Sequence, residues 1–185
     1  MSKESETQAE RQMRKATEAT ARGYATVRTG RASTTLLEGV MVDSYGTPTP
    51  LNQVATLAVP ESRLISIQPW DVKLLPAIEK AILKSDLGIT PTNDGKVVRI
   101  AVPPLTEERR RELVKVVRKM AEEGRVAIRN VRRDANEALK KEERAREISE
   151  DELTKSLEVI QNLTNKYHKE IDDLLAKKEK EILEF

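Results

Sequence analysis

The sequence predicts an α+β protein: a long three-helix bundle into which a small α/β domain is inserted. Three observations carry this. All eight prolines lie between Pro48 and Pro104, which leaves both flanks free of the residue that breaks helices. Apolar residues recur at three- and four-residue steps in the flanks but tend to alternate in the proline-containing stretch. Charged residues make up 35% of the chain and aromatics only 3%, which favours helices packed through Leu, Ile, Val and Ala.

The first helix is expected from about residue 5 to 28. Its inward stripe is Met13, Thr17, Thr20, Tyr24 and Val27, with Thr29-Gly30 ending it because glycine supplies the positive φ of a helix end. Beyond Arg31 the alternation predicts strands around Val40 and Val42, around Val54, Leu57 and Val59, around Leu64, Ile65 and Ile67, and from Val97 to Val102. Tyr45-Gly46-Thr47-Pro48 and Asn93-Asp94-Gly95 read as turns. A helix is expected from Trp70-Asp71 to Lys84, with Asp71 as N-cap, Leu75, Ile78, Ile82 and Leu83 inward, and Gly88 at its end. Trp70 and Tyr45 could stack on bases, but a small domain needs its few aromatics inside, so both are expected in the core.

Pro103-Pro104 stops the last strand. A helix of about 43 residues then runs from Thr106 to Ile148, roughly 65 Å at 1.5 Å per residue. Its expected inward stripe is Leu113, Val117, Met120, Ala127, Val131, Ala135 and Ala138, and Gly124 is its only glycine. Ser149-Glu150-Asp151-Glu152 is a capping box that opens the last helix. There Leu153, Leu157, Ile160, Thr164, Tyr167, Ile171, Leu174 and Ile182 recur near heptad spacing. No one of these helices buries its stripe alone, so residues 1–30 and 105–185 are expected to form the bundle and residues 31–104 the inserted domain. Two short linkers join them, Thr29-Gly30-Arg31 and Pro103-Pro104-Leu105. Lying side by side, they would form a hinge.

The net charge of +2 hides an asymmetry. Residues 105–148 hold 14 Lys and Arg against 10 Asp and Glu, whereas residues 149–185 hold 6 against 10. Within the long helix Arg111, Arg118, Arg125, Arg129 and Arg132 fall in one narrow sector, expected to lie opposite the apolar stripe. Such a row suits a phosphate backbone; it also suits a merely solvated face. The carboxylates nearly all have basic residues three or four positions away, the pattern of surface pairs.

No catalytic constellation emerges. The chain has no cysteine and a single histidine, His168, expected at a surface or helix edge. Its glycines form no phosphate-cradling pattern. No metal, nucleotide or other cofactor is expected, and no enzyme. No apolar run approaches the roughly 20 residues that span a bilayer, and the polar start MSKESETQAERQMRKA is not a signal peptide, so a cytoplasmic protein without membrane contact is expected. The competing classes are a coiled-coil scaffold, which leaves the inserted domain unexplained, an RNA-modifying enzyme, which lacks a nucleophile or cofactor site, and a DNA-bending protein, which lacks a groove-reading motif.

Six segments, RTGRAS (28–33), YGTPTPLNQVA (45–55), SDLGITPTNDG (85–95), PPLTEERRREL (103–113), EEGRVAIRNVRRDAN (122–136) and ISEDE (148–152), resemble the bacterial ribosome recycling factor family in content, order and spacing. The resemblance covers nearly the whole chain; many members carry a proline where this chain has Thr34. It implies an L-shaped molecule whose inserted domain is a β/α/β sandwich moving about the hinge. It also implies a non-enzymatic translation factor that binds the large ribosomal subunit between the A and P sites. With elongation factor G and GTP such a factor splits post-termination ribosomes and frees them from mRNA, carrying no nucleotide itself and acting as a monomer. The helical domain would meet ribosomal RNA and the inserted domain elongation factor G. The RNA-binding set implied is Arg125, Arg129 and Arg132 at the centre, with Arg133, Arg118, Arg110, Arg28 and Arg31.

Overall fold

A computed structural model describes residues 2–184. By its internal contacts the chain divides into two compact units: residues up to Arg28 together with Glu107–Glu184, and Thr29–Thr106. Each is described by itself.

The first unit consists of α1 (Ser2–Ala25), α3 (Glu107–Arg144) and α4 (Glu150–Leu183). Each packs on both others. α1 buries the predicted Met13, Thr17, Thr20 and Tyr24 and adds Ala9, while Val27 lies beyond its end and is half-buried. It ends at Ala25, so Gly30, at φ +77°, is not its terminus. α3 buries Leu113, Val114, Val117, Ala121, Gly124, Ile128 and Leu139. Met120, Ala127, Val131 and Ala135 are only half-buried and Ala138 is exposed. The inward face is therefore rotated from the expected one, because α3 contacts α1 and α4 at once and a two-sided contact widens the buried sector.

The place of closest approach is Gly124. A Cβ there would stand 2.5 Å from Thr20 Oγ1 and 2.8 Å from Ile171 Cδ1, so α1 and α4 close on α3 where it has no side chain. Hydroxyls enter this core because they are satisfied within their own helices: Thr17 donates to the Met13 carbonyl and Thr164 to the Ile160 carbonyl. Tyr24 donates across to the Val117 carbonyl at 2.9 Å, and burial pushes its phenol above the ordinary range.

α3 stops at Arg144, four residues before the expected end. Arg146 takes φ +58°, and its N–H and that of Glu147 bond back to the carbonyls of Glu143 and Glu142. This is the terminus that glycine usually makes, built here with arginine, so no glycine announces it. α4 begins as expected: Ser149 accepts from the Glu152 N–H and Glu152 accepts from the Ser149 N–H. The Ser149 N–H, and after it the Ser149 hydroxyl, donate to the Glu152 carboxylate and hold it below its ordinary pKa.

The second unit comprises β1 (Met41–Ser44), β2 (Thr47–Pro50), β3 (Ala55–Glu61), β4 (Leu64–Pro69), α2 (Leu75–Lys84), β5 (Thr92–Asn93) and β6 (Val98–Ala101). β1 and β2 form a hairpin, and the others a sheet in the order β3-β4-β6-β5 with every pairing antiparallel. Thr47-Pro48 and Asn93, expected in turns, are thus strand residues. Their strands are too short and polar to alternate visibly. α2 packs on β1 and β6, and Val42, Ile65, Ile67, Ile78, Ile82, Val98 and Ile100 are fully buried. Asp71 caps a single 3₁₀ turn, Val72–Leu74, which leads into α2; Pro76 sits in the first turn, where its missing N–H costs nothing. Ser85, not Gly88, caps the end of α2, and Leu83 is exposed, one step around from Ile82.

Trp70 and Tyr45 are not core residues. They are 68% and 72% exposed. The reason is parity: Ile65, Ile67 and Pro69 of β4 point inward, so residue 70 points out. Val42 of β1 points inward, and Tyr45 follows the strand in the turn to β2, at φ +52°.

The incoming and outgoing segments of this unit meet at the turn between β3 and β4. Ala32 donates to the Ser62 carbonyl and Val102 to the Arg63 carbonyl, both at 2.8 Å. Gly30 and Leu105 are neighbours; a Cβ on Gly30 would lie 3.1 Å from Leu105 Cγ. The two linkers therefore run side by side.

Candidate nucleic-acid interface

The arginines of α3 divide by what stands opposite them. α3 and α4 are antiparallel neighbours, and the basic excess of one faces the acidic excess of the other. Arg118 Nε donates to Glu179 Oε1 at 2.5 Å. Seven residues on, Arg125 puts Nε and Nη2 on Asp172 Oδ1, at 3.0 and 2.5 Å, and Nη1 on Glu122 at 3.3 Å. Both arginines are raised in pKa, first by those carboxylates. Continuing the same seven-residue step along both sequences takes Arg132 to Asn165, which carries no charge. Arg132 is half-buried, and no ion pair to it exists among the described residues.

Around Arg132 the pairing is sparse. Arg129 donates to Glu122 at 2.7 Å, one carboxylate shared with Arg125; together they hold the Glu122 carboxyl below its ordinary pKa, Arg129 contributing more. Arg133 reaches Asp134 only at 3.5 Å. Two positive charges thus stay weakly compensated over one turn of helix, on a rigid element with donors that match phosphate oxygens.

The other predicted residues are scattered. Arg110 donates through Nη1 to the Leu183 carbonyl at 3.2 Å, tying the start of α3 to the end of α4. Arg111 pairs with Glu107 and Arg109 with Glu112, as surface pairs at helical spacing. Arg28 is exposed after α1, and Arg31 is exposed at the start of the second unit. Arg118 and Arg125 lie along the seam with α4, Arg118 with its side chain still 63% exposed and Arg125 24%. Asn165 is the residue that sequence reasoning passed over, because its effect is to be uncharged at one register position. The signal was present as the acids Asp172 and Glu179 at seven-residue spacing.

His168 is half-buried and its Nε2 is buried without a hydrogen-bond partner, at a helix edge as expected. Among the described residues no group of acidic or histidine side chains converges as a metal site, and no helix is long and apolar enough to cross a membrane.

The fold defines a class of α+β proteins built as a long three-helix bundle with an inserted α/β unit. The chain belongs to the ribosome recycling factor family, translation factors that act in ribosome recycling: a sequence profile of that family matches residues 20–183. It is 59% identical over 184 residues to the ribosome-recycling factor of Bacillus pumilus (strain SAFR-032), covering 100% of both chains. To that of Desulfatibacillum aliphaticivorans it is 57% identical over 178 residues, covering 96% of each. A solution structure of the ribosome recycling factor matches with a TM-score of 0.74 at 47% identity, over 100% of this chain and 98% of that one. The T. thermophilus ribosome recycling factor, placed with E. coli elongation factor G on the E. coli post-termination complex, matches at a TM-score of 0.63 and 46% identity over 99% of both.

Proposed function

We propose that this protein acts after termination as a monomeric cytoplasmic factor. It binds RNA of the large ribosomal subunit through the arginine face of α3. With elongation factor G and GTP it splits the post-termination ribosome and frees it from mRNA for a new round of initiation. The observation that supports this most is the gap in neutralisation along α3: Arg118 and Arg125 pair with acids of α4, and no ion pair to Arg132 exists among the described residues. Folded RNA is held mostly through phosphate and ribose, and guanidinium forks suit that task. Arg129, Arg132 and Arg133 supply the central contact, with Arg118, Arg125, Arg110, Arg28 and Arg31 contributing at its margins.

The mechanism is mechanical. The bundle is the anchored body, residues 31–104 are pushed by the GTPase, and the linkers 29–31 and 103–105 are the pivot. Co-sedimentation with vacant ribosomes and isolated large subunits over a salt series tests the anchor. Saturable binding that weakens steeply with salt is expected, since each phosphate contact releases counterions. No binding at low salt would end the reading. A covalent lock across the two linkers tests the pivot: binding should survive and factor-dependent splitting should stop.

A further inference from the structure

The arginine face of α3 holds one acid that phosphate binding does not call for. Glu122 is more than half exposed and bonded to two of the arginines assigned to RNA. A carboxylate in that place repels phosphate, so by charge alone the face would bind better without it. Its contacts give it another use.

Glu122 Oε1 accepts from Arg129 Nη2 at 2.7 Å, and Oε2 accepts from Arg125 Nη1 at 3.3 Å. The bond to Arg129 spans seven residues, nearly two turns and about 10.5 Å of axis at 1.5 Å per residue. Common pairs on a helix surface lie three or four residues apart. A pair seven apart closes only when both side chains are extended toward each other along the helix. It therefore fixes more of the arginine than a common surface pair does. The carboxylate is itself anchored. Arg125 places Nε and Nη2 on Asp172 of α4, and its own side chain is largely shielded. Asp172, Arg125, Glu122 and Arg129 thus form one chain of contacts, which leads from the seam of two helices to a more exposed arginine. Only Nη2 of Arg129 is taken; its Nε and Nη1 have no hydrogen bond among the described residues. The rest of the fork stays open to a phosphate.

We propose that Glu122 is a positioning residue for RNA binding, a role that rests on the ribosomal reading of α3: it holds the Arg129 guanidinium extended along the helix with its remaining donors open. A guanidinium already held loses less rotamer freedom when a phosphate takes it. The two effects of the carboxylate have opposite signs. Repulsion weakens binding and fades with salt, whereas positioning strengthens binding at every salt concentration.

The test is a double-mutant cycle on the full chain, read as the dissociation constant for isolated large ribosomal subunits over a salt series. Glu122→Ala should weaken binding about three- to tenfold across the series, although it removes a negative charge. In the Arg129→Ala background the same substitution should no longer weaken binding, because there is no guanidinium left to hold. A loss that acted through the stability of the bundle would persist in that background. In the free protein, NMR relaxation of the Arg129 Nε–H should show an ordered side chain that Glu122→Ala loosens. Binding that is unchanged or tighter in Glu122→Ala, a loss of equal size with and without Arg129, or an Arg129 side chain equally ordered in both proteins would each overturn the proposal. Those results leave wild-type binding intact and so strike this role alone. A wild-type chain that does not bind large subunits at low salt overturns the ribosomal reading and the role together.

Discussion

The two halves of α3 use arginine differently. Upstream, from Arg118 to Arg125, the helix is pressed between α1 and α4; its glycine is the contact point and its arginines reach acids of α4. Downstream, from Arg129 to Arg133, the same residue type meets a shared carboxylate or a distant aspartate, and Arg132 has no ion pair among the described residues. What an arginine does is therefore set by the register of the neighbouring helix. The upstream ones are paired across the α3–α4 seam and the downstream ones are less fully paired.

The largest effect should come from the packed half. Gly124→Ala puts a methyl group 2.5 Å from Thr20 Oγ1 and 2.8 Å from Ile171 Cδ1, and should cost about 1–3 kcal/mol by urea denaturation despite alanine's better helix propensity. A more stable variant would mean that the three helices are not in close contact there. Next is Arg132→Ala. Ribosome affinity should fall about tenfold, the salt slope should flatten by about one, and the melting temperature should stay unchanged. Wild-type binding across the salt series would remove Arg132 from the interface.

Asn165→Asp sharpens the comparison most directly. It supplies the acid missing at the third step of the seam and so should convert Arg132 into a residue like Arg125. Affinity for ribosomes should drop several-fold, less than with Arg132→Ala, with no loss of stability. Arg125→Ala is the counterpart. Its side chain is 24% exposed and pairs with two acids, so stability should fall by up to about 1 kcal/mol while salt-dependent binding changes less than in Arg132→Ala. The reverse order of effects in these two variants would undo the division of the helix.

The smallest effect is on acid stability. Glu122 and Glu152 have folded pKa values below the ordinary value of 4.5, held down by Arg129 and by the Ser149 N–H respectively. A lowered folded pKa contributes stability that is complete above the unfolded pKa and is lost as pH falls through the folded one. Melting temperatures should therefore be flat above pH 5 and decline below 4.5, with a shallower decline in Glu122→Gln. An unaltered decline would show that Glu122 is not held by its arginines in solution.

Much of the fold is legible in residues 1–185 read alone, because it rests on local rules. Proline-free periodic flanks make helices, alternation makes β3, β4 and β6, and Ser149 and Glu152 make a capping box wherever they are read. Parity along β4 even contained the outward position of Trp70, against the general expectation that a scarce aromatic is buried. Other features have no local signature. The end of α3 at Arg144 depends on an arginine taking the conformation usually left to glycine. The Thr47–Pro50 strand exists because Met41–Ser44 pairs with it. The place of Gly124 at the crossing of three helices, and the division of the arginines into paired and open, depend on which residues of α4 arrive at the level of positions 118, 125 and 132. The sequence by itself determined the elements and the charge each carries. Only the tertiary structure decided which charges cancel, because Coulomb attraction between exposed charges is screened beyond about 10 Å and the partners are 61 and 47 residues apart along the chain.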